Sequence, residues 1–232
     1  MIPRRATSAV GALVVWMTAA CAAPESASGP ACTELVTKWP GSLYLGDYDA
    51  PEVTSMADLP ERVQAELAAH LRARLGDAVF SELVLTGGQA IDHDVLLNAE
   101  PSAADWQWRV PAYRLNFRLT RPDACLEAYY ADISLDEEGR VLEEIDLPNV
   151  AAQGGRLQLV SLERARAAVR ALGHGGELPV EISYRPDLDS LVWVISPSDA
   201  SSKDGVIIHF VEVVVDARDG RVVESVEREA IE

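Results

Sequence analysis

The sequence predicts an α+β chain of two related units, each a helix packed on a curled antiparallel sheet, behind a signal that is cleaved. Three observations predict it. Val63, Leu67, Leu71 and Leu75 recur every fourth residue to form one apolar stripe, and a second helix-forming run spans Leu162 to Leu172. The remaining runs alternate apolar and polar residues at period two and are cut by turn residues. Finally, Ile133 to Ile145 (ISLDEEGRVLEEI) and Val213 to Val226 (VVVDARDGRVVESV) repeat one hairpin: an apolar strand, an acidic turn ending Gly-Arg, and a return strand beginning with valine. Such turns are common in any protein, so the repeat gains meaning from the shared order of helix, strands and closing hairpin. The units are placed at residues 32–150 and 151–232.

The first element is an address. Arg4 and Arg5 precede an apolar run from Ala9 to Ala20, too short to cross a bilayer as a stable helix, and Thr18-Ala19-Ala20-Cys21 closes it. Residues 1–20 therefore read as an export signal. The pattern resembles a bacterial lipoprotein signal, which implies diacylation of Cys21, cleavage before it, and a periplasmic protein of the cell envelope held to a membrane by that lipid alone. Thr18 stands where such signals usually carry an aliphatic residue. An ordinary signal cut near Ala22 or Ala23, leaving Cys21 discarded or free, is the other reading. Residues 21–31 run small, polar and aperiodic through Pro24 and Pro30, as a tether does.

Beyond the tether, Leu35 to Trp39 and Leu43 to Leu45 read as extended chain broken at Pro40-Gly41. Leu59 to Leu75 is the first helix, with Asp58 as cap, Pro60 in its first turn and Gly76 as its stop. Phe80 to Leu85, Tyr113 to Leu119, Leu126 to Leu135 and Val141 to Leu147 read as strands, with Gly139 in a left-handed turn position. Ser161 caps the second helix, and Gly173 and Gly175-Gly176 stop it. Val180 to Tyr184, Leu191 to Ile195, Val206 to Val215 and Arg221 to Val226 complete the strands, with a long polar loop from Ser196 to Gly205.

Composition bounds the function. With 232 residues, 48% apolar and 25% charged, the chain can bury one sizeable core or two small ones. Formal net charge is −17, and loss of the signal removes two arginines and no acid. Such a surface repels phosphate backbones and anionic lipid headgroups, so no nucleic acid partner is expected, and a neutral or basic partner suits it better. Solubility alone also accounts for the charge. With Cys21 lipidated, Cys32 and Cys125 remain, and in an oxidising compartment an even pair is most simply a disulfide; two free buried thiols are the alternative. No histidine or further cysteine stands at ligand spacing around either.

Ser161 to Val169 (SLERARAAV), then Leu191 to Ile195 (LVWVI), then Val213 to Val223 (VVVDARDGRVV) resemble the PepSY domain pattern. That pattern is an alanine-rich helix, a tryptophan-bearing strand and a last strand entering an Asp-Ala-x-x-Gly hairpin. The resemblance covers Val160 to Val226, and the loop from Ser196 to Gly205 departs from it. It implies a non-catalytic module of exported or envelope proteins that contacts another envelope protein, such as a peptidase it restrains. It carries over no catalytic residue and no cofactor. The expected partner surface is the loop, with Ser198, Asp199, Lys203 and Asp204, and the strand Val206 to Val215, where an exposed sheet edge would accept an extended segment.

Enzyme signatures are absent: there is no Gly-x-Ser-x-Gly elbow, no His-Glu-x-x-His and no phosphate-cradling glycine loop. Asp92-His93-Asp94 is the tightest cluster of ligand-type side chains, yet neighbours on a strand face opposite ways, so it reads as a turn with solvated acids. The run Asp136, Glu137, Glu138, Glu143, Glu144 and Asp146 lacks the alternating oxygen spacing of a calcium loop and reads as a solvated face. Trp106 and Trp108 share one face of a strand, as a core pair or as an aromatic patch for a sugar or partner. His70 falls on the polar side of the first helix, His174 in a glycine turn, and His209 within a strand. The alternative to a binding module is an enzyme or metal-dependent binder whose site forms only in the fold.

Overall fold

A computed structural model describes residues 32–41, 51–105, 110–176, 179–197, 201–204 and 207–231. The expected signal and tether, Cys21, Leu43 to Leu45, Trp106, Trp108, Ser198 and Asp199 lie outside the described residues. The chain is mixed α and β, with two open sheets whose strands are mainly antiparallel. Among the described residues no helix is long and apolar enough to cross a membrane.

The first sheet contains β1 (Val36–Lys38), β2 (Val84–Ala90), β3 (Tyr113–Arg121), β4 (Leu126–Leu135) and β5 (Val141–Glu143). Its order is β1-β4-β3-β2, with β5 also paired to β4, and β1 joins β4 in parallel. The second contains β6 (Val180–Arg185), β7 (Ser190–Ile195), β8 (Ser202–Asp204), β9 (Ile207–Asp216) and β10 (Val222–Ile231), in the order β10-β9-β7-β6 with β8 also on β9. The helices are α1 (Glu61–Phe80), α2 (His93–Ala99) and α3 (Leu162–Ala171). In each half a helix precedes a run of antiparallel strands, and α3 lies against β7 and β9.

Val63, Leu67, Leu71, Leu75 and Val79 of α1 are all buried, one turn beyond the stripe expected. Gly76 does leave helical geometry, at φ 76°, but the chain resumes helically to Phe80, so Phe80 belongs to α1 and the strand begins at Val84. Asp58 does not cap α1. Its carboxylate accepts from the Thr54 and Ser55 N–H groups, a short 3₁₀ turn ahead of the helix, and these bonds hold it below the usual carboxylate range. Ser161 does cap α3, accepting from Arg164 N at 3.4 Å. One apolar cluster joins the stripe of α1 to Phe117 and Ile133 in the first sheet and to Val169, Trp193 and Val215 in the second half.

The repeated hairpins share an internal device. Asp136 and Asp216 are 2% and 0% exposed, although both stand in acidic turns. Asp136 Oδ1 accepts from Glu138 N at 3.0 Å, Asp216 Oδ1 from Arg218 N at 2.9 Å, and an arginine, Arg140 or Arg218, reaches the second oxygen. Gly139 N and Gly220 N donate to the carbonyls of Asp136 and Asp216, closing each turn. Gly139 has φ 87°, and a Cβ there would stand 3.0 Å from Val63 Cα, a backbone atom that cannot step aside. Gly154 has φ 95° with open space around it. Gly139→Ala is therefore expected to cost about 2 to 3 kcal/mol and Gly154→Ala about 1 kcal/mol, read from urea midpoints. Equal losses would remove the close approach from the account.

Polar ties join the halves. Asp189, at φ 44°, accepts from Asn149 N and Tyr184 OH, both at 2.9 Å, and from Gln153 Nε2 at 2.9 Å. Arg74 of α1 donates to Leu147 O at 2.8 Å and to Tyr184 OH at 3.2 Å. Burial raises the Asp189 carboxyl, but the bonds from Asn149, Tyr184 and Gln153 outweigh it and leave the group below its ordinary value. A depressed carboxyl stabilises the fold above the unfolded value of about 4 and loses that contribution as pH falls through the folded one. The stability gap between the natural chain and Asp189→Asn should therefore narrow as pH drops below about 4. A gap constant from pH 7 into that range would refute the assignment.

Candidate functional site

In the second sheet β9 and β10 stay paired from Val215 opposite Val222 to Ile207 opposite Ile231. Their neighbours are shorter. β7 meets β9 only from Val213 to Asp216, and β8 meets it only from Ile207 to His209. The far half of β9 and β10 thus runs past the core as a ribbon, and its side chains emerge: Ile207 is 37% exposed and Ile231 83%. Alternation places Glu227 opposite Val211 and Glu229 opposite His209 on the face that carries buried Val213 and Val215 further along. On the other face, Arg228 pairs with Glu212 across the ribbon. His209 Nδ1 lies 3.3 Å from Glu229. A cleft of about 520 Å³ lies at this ribbon, lined by residues of β8, β9 and β10 that include Ser202, His209 and Glu229.

This arrangement corrects the sheet edge expected from sequence. From Ile207 on, the strand expected over Val206 to Val215 has β10 along one side and, over Ile207–His209 and Val213–Asp216, β8 and β7 along the other. It is therefore largely interior, and among the described residues the sheet ends in β10 and β6. Lys203 lies on β8 opposite Ile208, and the backbone of Asp204 pairs opposite Ile207, which puts both beside the ribbon.

The other sequence candidates do not converge. Asp92 caps α2, accepting from Asp94 N at 2.9 Å and Val95 N at 3.1 Å, so the cluster is a helix start and not an open turn. His93 bridges Val110 O at 3.1 Å and Glu137 at 3.3 Å. Among the described residues no three His, Cys, Asp or Glu side chains gather for a metal ion. The acidic run is not one solvated face: Asp136 is buried, Glu144 meets His70 at 2.9 Å, and Asp146 binds Lys38 and accepts from Asp132 N at 2.7 Å.

Asp146 also organises a polar cluster that sequence reading missed. Tyr129 OH donates to Asp146 O at 2.8 Å, Lys38 Nζ lies 4.6 Å from the Tyr129 ring centre, and Asn116 donates to Asp132. Burial keeps the Tyr129 phenol far above its ordinary range and raises the Asp132 carboxyl. These residues come from β1, β3, β4 and the stretch after β5, so no spacing announces them. A wider cleft, about 850 Å³, opens at Thr33, Glu34, Glu163, Arg166 and Arg170, but its charges neutralise one another. Arg166 binds Glu34 and meets Glu163 at 3.3 Å, while the Thr33 hydroxyl holds Glu163 below the usual carboxylate range.

Cys32 and Cys125 are joined, with Cα atoms 5.4 Å apart. The bond fastens the chain ahead of β1 to the residue that enters β4. Matching against known protein families, curated proteins and solved structures returns no relative.

Proposed function

We propose that the chain is an exported, non-catalytic binding module of the bacterial cell envelope, held at the periplasmic face of a membrane by a lipid on Cys21. In this reading residues 32–150 and 151–232 are two related units, each a helix laid across a curled antiparallel sheet. The second is PepSY-like and presents its projecting ribbon to another envelope protein, and a peptidase is the partner class that the resemblance implies. No cofactor takes part.

The ribbon carries the reading. A module that needed only to be stable would end β9 and β10 near β7 and Val211, the last of their side chains to pack on the core; here both strands continue beyond it, to exposed Ile207 and Ile231. The disulfide supports an oxidising compartment. The test is a photo-crosslinking residue placed at Ile231 on the ribbon or at Arg62, an exposed position of α1, in cells that make the full chain. One envelope protein captured from position 231 and not from 62 is the expected result. Equal capture from both positions, or none from 231, would refute the ribbon as the binding surface. The mass of the same purified protein reads the anchor directly: a chain beginning at Cys21 with acyl groups supports it, and an unmodified chain removes it.

A further inference from the structure

We infer that the free outer edge of β10 takes up an extended, basic segment of a partner protein as an added strand. The inference rests on reading the chain as a binding module, and it names the edge and the partner's chemistry.

The backbone supplies the first part. β10 runs ten residues, Val222–Ile231, and among the described residues its only strand neighbour is β9. A strand with one neighbour leaves every second N–H and C=O pointing outward, and a long row of them templates another strand. Proteins usually block such an edge with proline, a bulge, a covering loop or charged side chains, and of these β10 carries charges, which repel like-charged strands and admit complementary ones. β10 has no proline, and its one register shift lies between Val222 and Glu224, at the core end. From Ser225 to Ile231 the register with β9 is unbroken, so the edge is straight where it is most exposed.

Charge selects the occupant. β10 carries Glu224, Glu227 and Glu229 against a single Arg228. Two of these are already engaged: Glu224 meets Arg185 at 2.8 Å, and Arg228 is bound to Glu212. The remaining carboxylates of β10 are Glu227, which has no ion-pair partner among the described residues, and Glu229, whose ion-pair partner among them is His209 and whose side chain is 70% exposed. They stand two apart, on one face. An added strand places its own alternate residues beside them, so lysine or arginine at every second position is complementary there, and acidic residues are repelled. On the opposite face Val226 and Ala230 flank the engaged Arg228 and suit apolar neighbours. The fitting segment alternates basic and apolar residues. A second copy of this chain fits poorly, since each copy carries a formal charge of −17.

The test uses the full mature chain and a blocked octapeptide of alternating lysine and valine, with a glutamate-valine peptide of equal length as counterpart. At low salt the lysine peptide should bind, weaken as salt is added, and slow amide exchange along Val222–Ile231. The double variant Glu227→Lys, Glu229→Lys should weaken it roughly tenfold or more while leaving thermal unfolding in place. A lysine-valine peptide methylated on alternate backbone nitrogens keeps the charge but loses half its donors, and it should fail to bind. Binding of the methylated peptide as tight as its parent, tight binding of the glutamate peptide, or protection elsewhere on the chain would each overturn strand addition. So would a dimer of the free protein with β10 protected, because the edge would then belong to a second copy. These failures leave capture from position 231 untouched, since a partner can grip the ribbon by its face, and so they are distinguishable from failure of the binding reading itself.

Discussion

Replacing Cys32 by serine and Cys125 by alanine together is expected to lower the free energy of unfolding by roughly 4 to 5 kcal/mol in the chain-entropy picture. The two residues are 93 positions apart, so the bridge closes a loop that holds α1 and most of the first sheet. An unbridged denatured chain gains the freedom that this loop denies it, while the folded state loses little. Val36 N still donates to Cys125 O at 2.9 Å, and β1 keeps its parallel pairing with β4. Urea unfolding of the bridged chain, the reduced chain and the double variant measures the effect. Reduced chain and variant should agree, with the first loss of protection at Val36–Lys38, the short strand that the bridge holds in place. A loss under about 1 kcal/mol would mean that the denatured chain is already held compact across this loop.

Trp193→Ala should cost about 4 kcal/mol, through a different route. Trp193 is 0% exposed, and it lies in β7 between Ile182 of β6 and Val215 of β9, both buried. Its indole N–H donates to Val160 O at 3.1 Å, on the segment that leads into α3. Truncation opens a large cavity where α3 meets the second sheet and leaves that carbonyl without its donor. Trp193→Phe separates the two terms: most of the bulk stays, the donor goes, and the expected cost is about 1 to 2 kcal/mol. Because one apolar cluster runs through both halves, the Ala variant should still unfold in a single transition at a lower midpoint. Two resolved transitions would show that the halves are separate cooperative units.

Much of this architecture was legible in local pattern. The four-residue spacing from Val63 to Leu75 marked the buried face of α1, because a helix turns that spacing into one stripe. Gly139 marked a left-handed turn position, at φ 87°. Ser161 marked the start of α3. Reading failed where two weak signals competed. Asp92-His93-Asp94 looked like a solvated turn because the helix it caps is only seven residues long and contributes one buried side chain, Leu96. Gly87 and Gly88 hid the part of β2 beyond Leu85: a Cβ at Gly88 would lie 2.5 Å from Arg114 O, so glycine serves the close strand contact that its low strand propensity argues against. Buried Asp136 and Asp216 looked like surface acids, because a sequence of acidic turn residues does not reveal which carboxylate folds back onto its own backbone.

By itself the sequence determined what is local or follows from counting: helix faces, hairpin turns, the pairing of Cys32 with Cys125, and an acidic composition. These depend on residues within a few positions of one another or on composition, where chain geometry leaves little choice. The tertiary structure alone decided which strand became the edge. Alternation tells which side chains share a face, but it is silent on which strand lies beside which, since every strand offers the same backbone donors and acceptors. The strand expected to be exposed, β9, has β10 along one side and β7 and β8 along most of the other, and among the described residues the outer edges fell to β10 and β6. The cluster of Lys38, Tyr129, Asp132 and Asp146 was decided in the same way, by the parallel docking of β1 on β4, a pairing between segments about ninety residues apart.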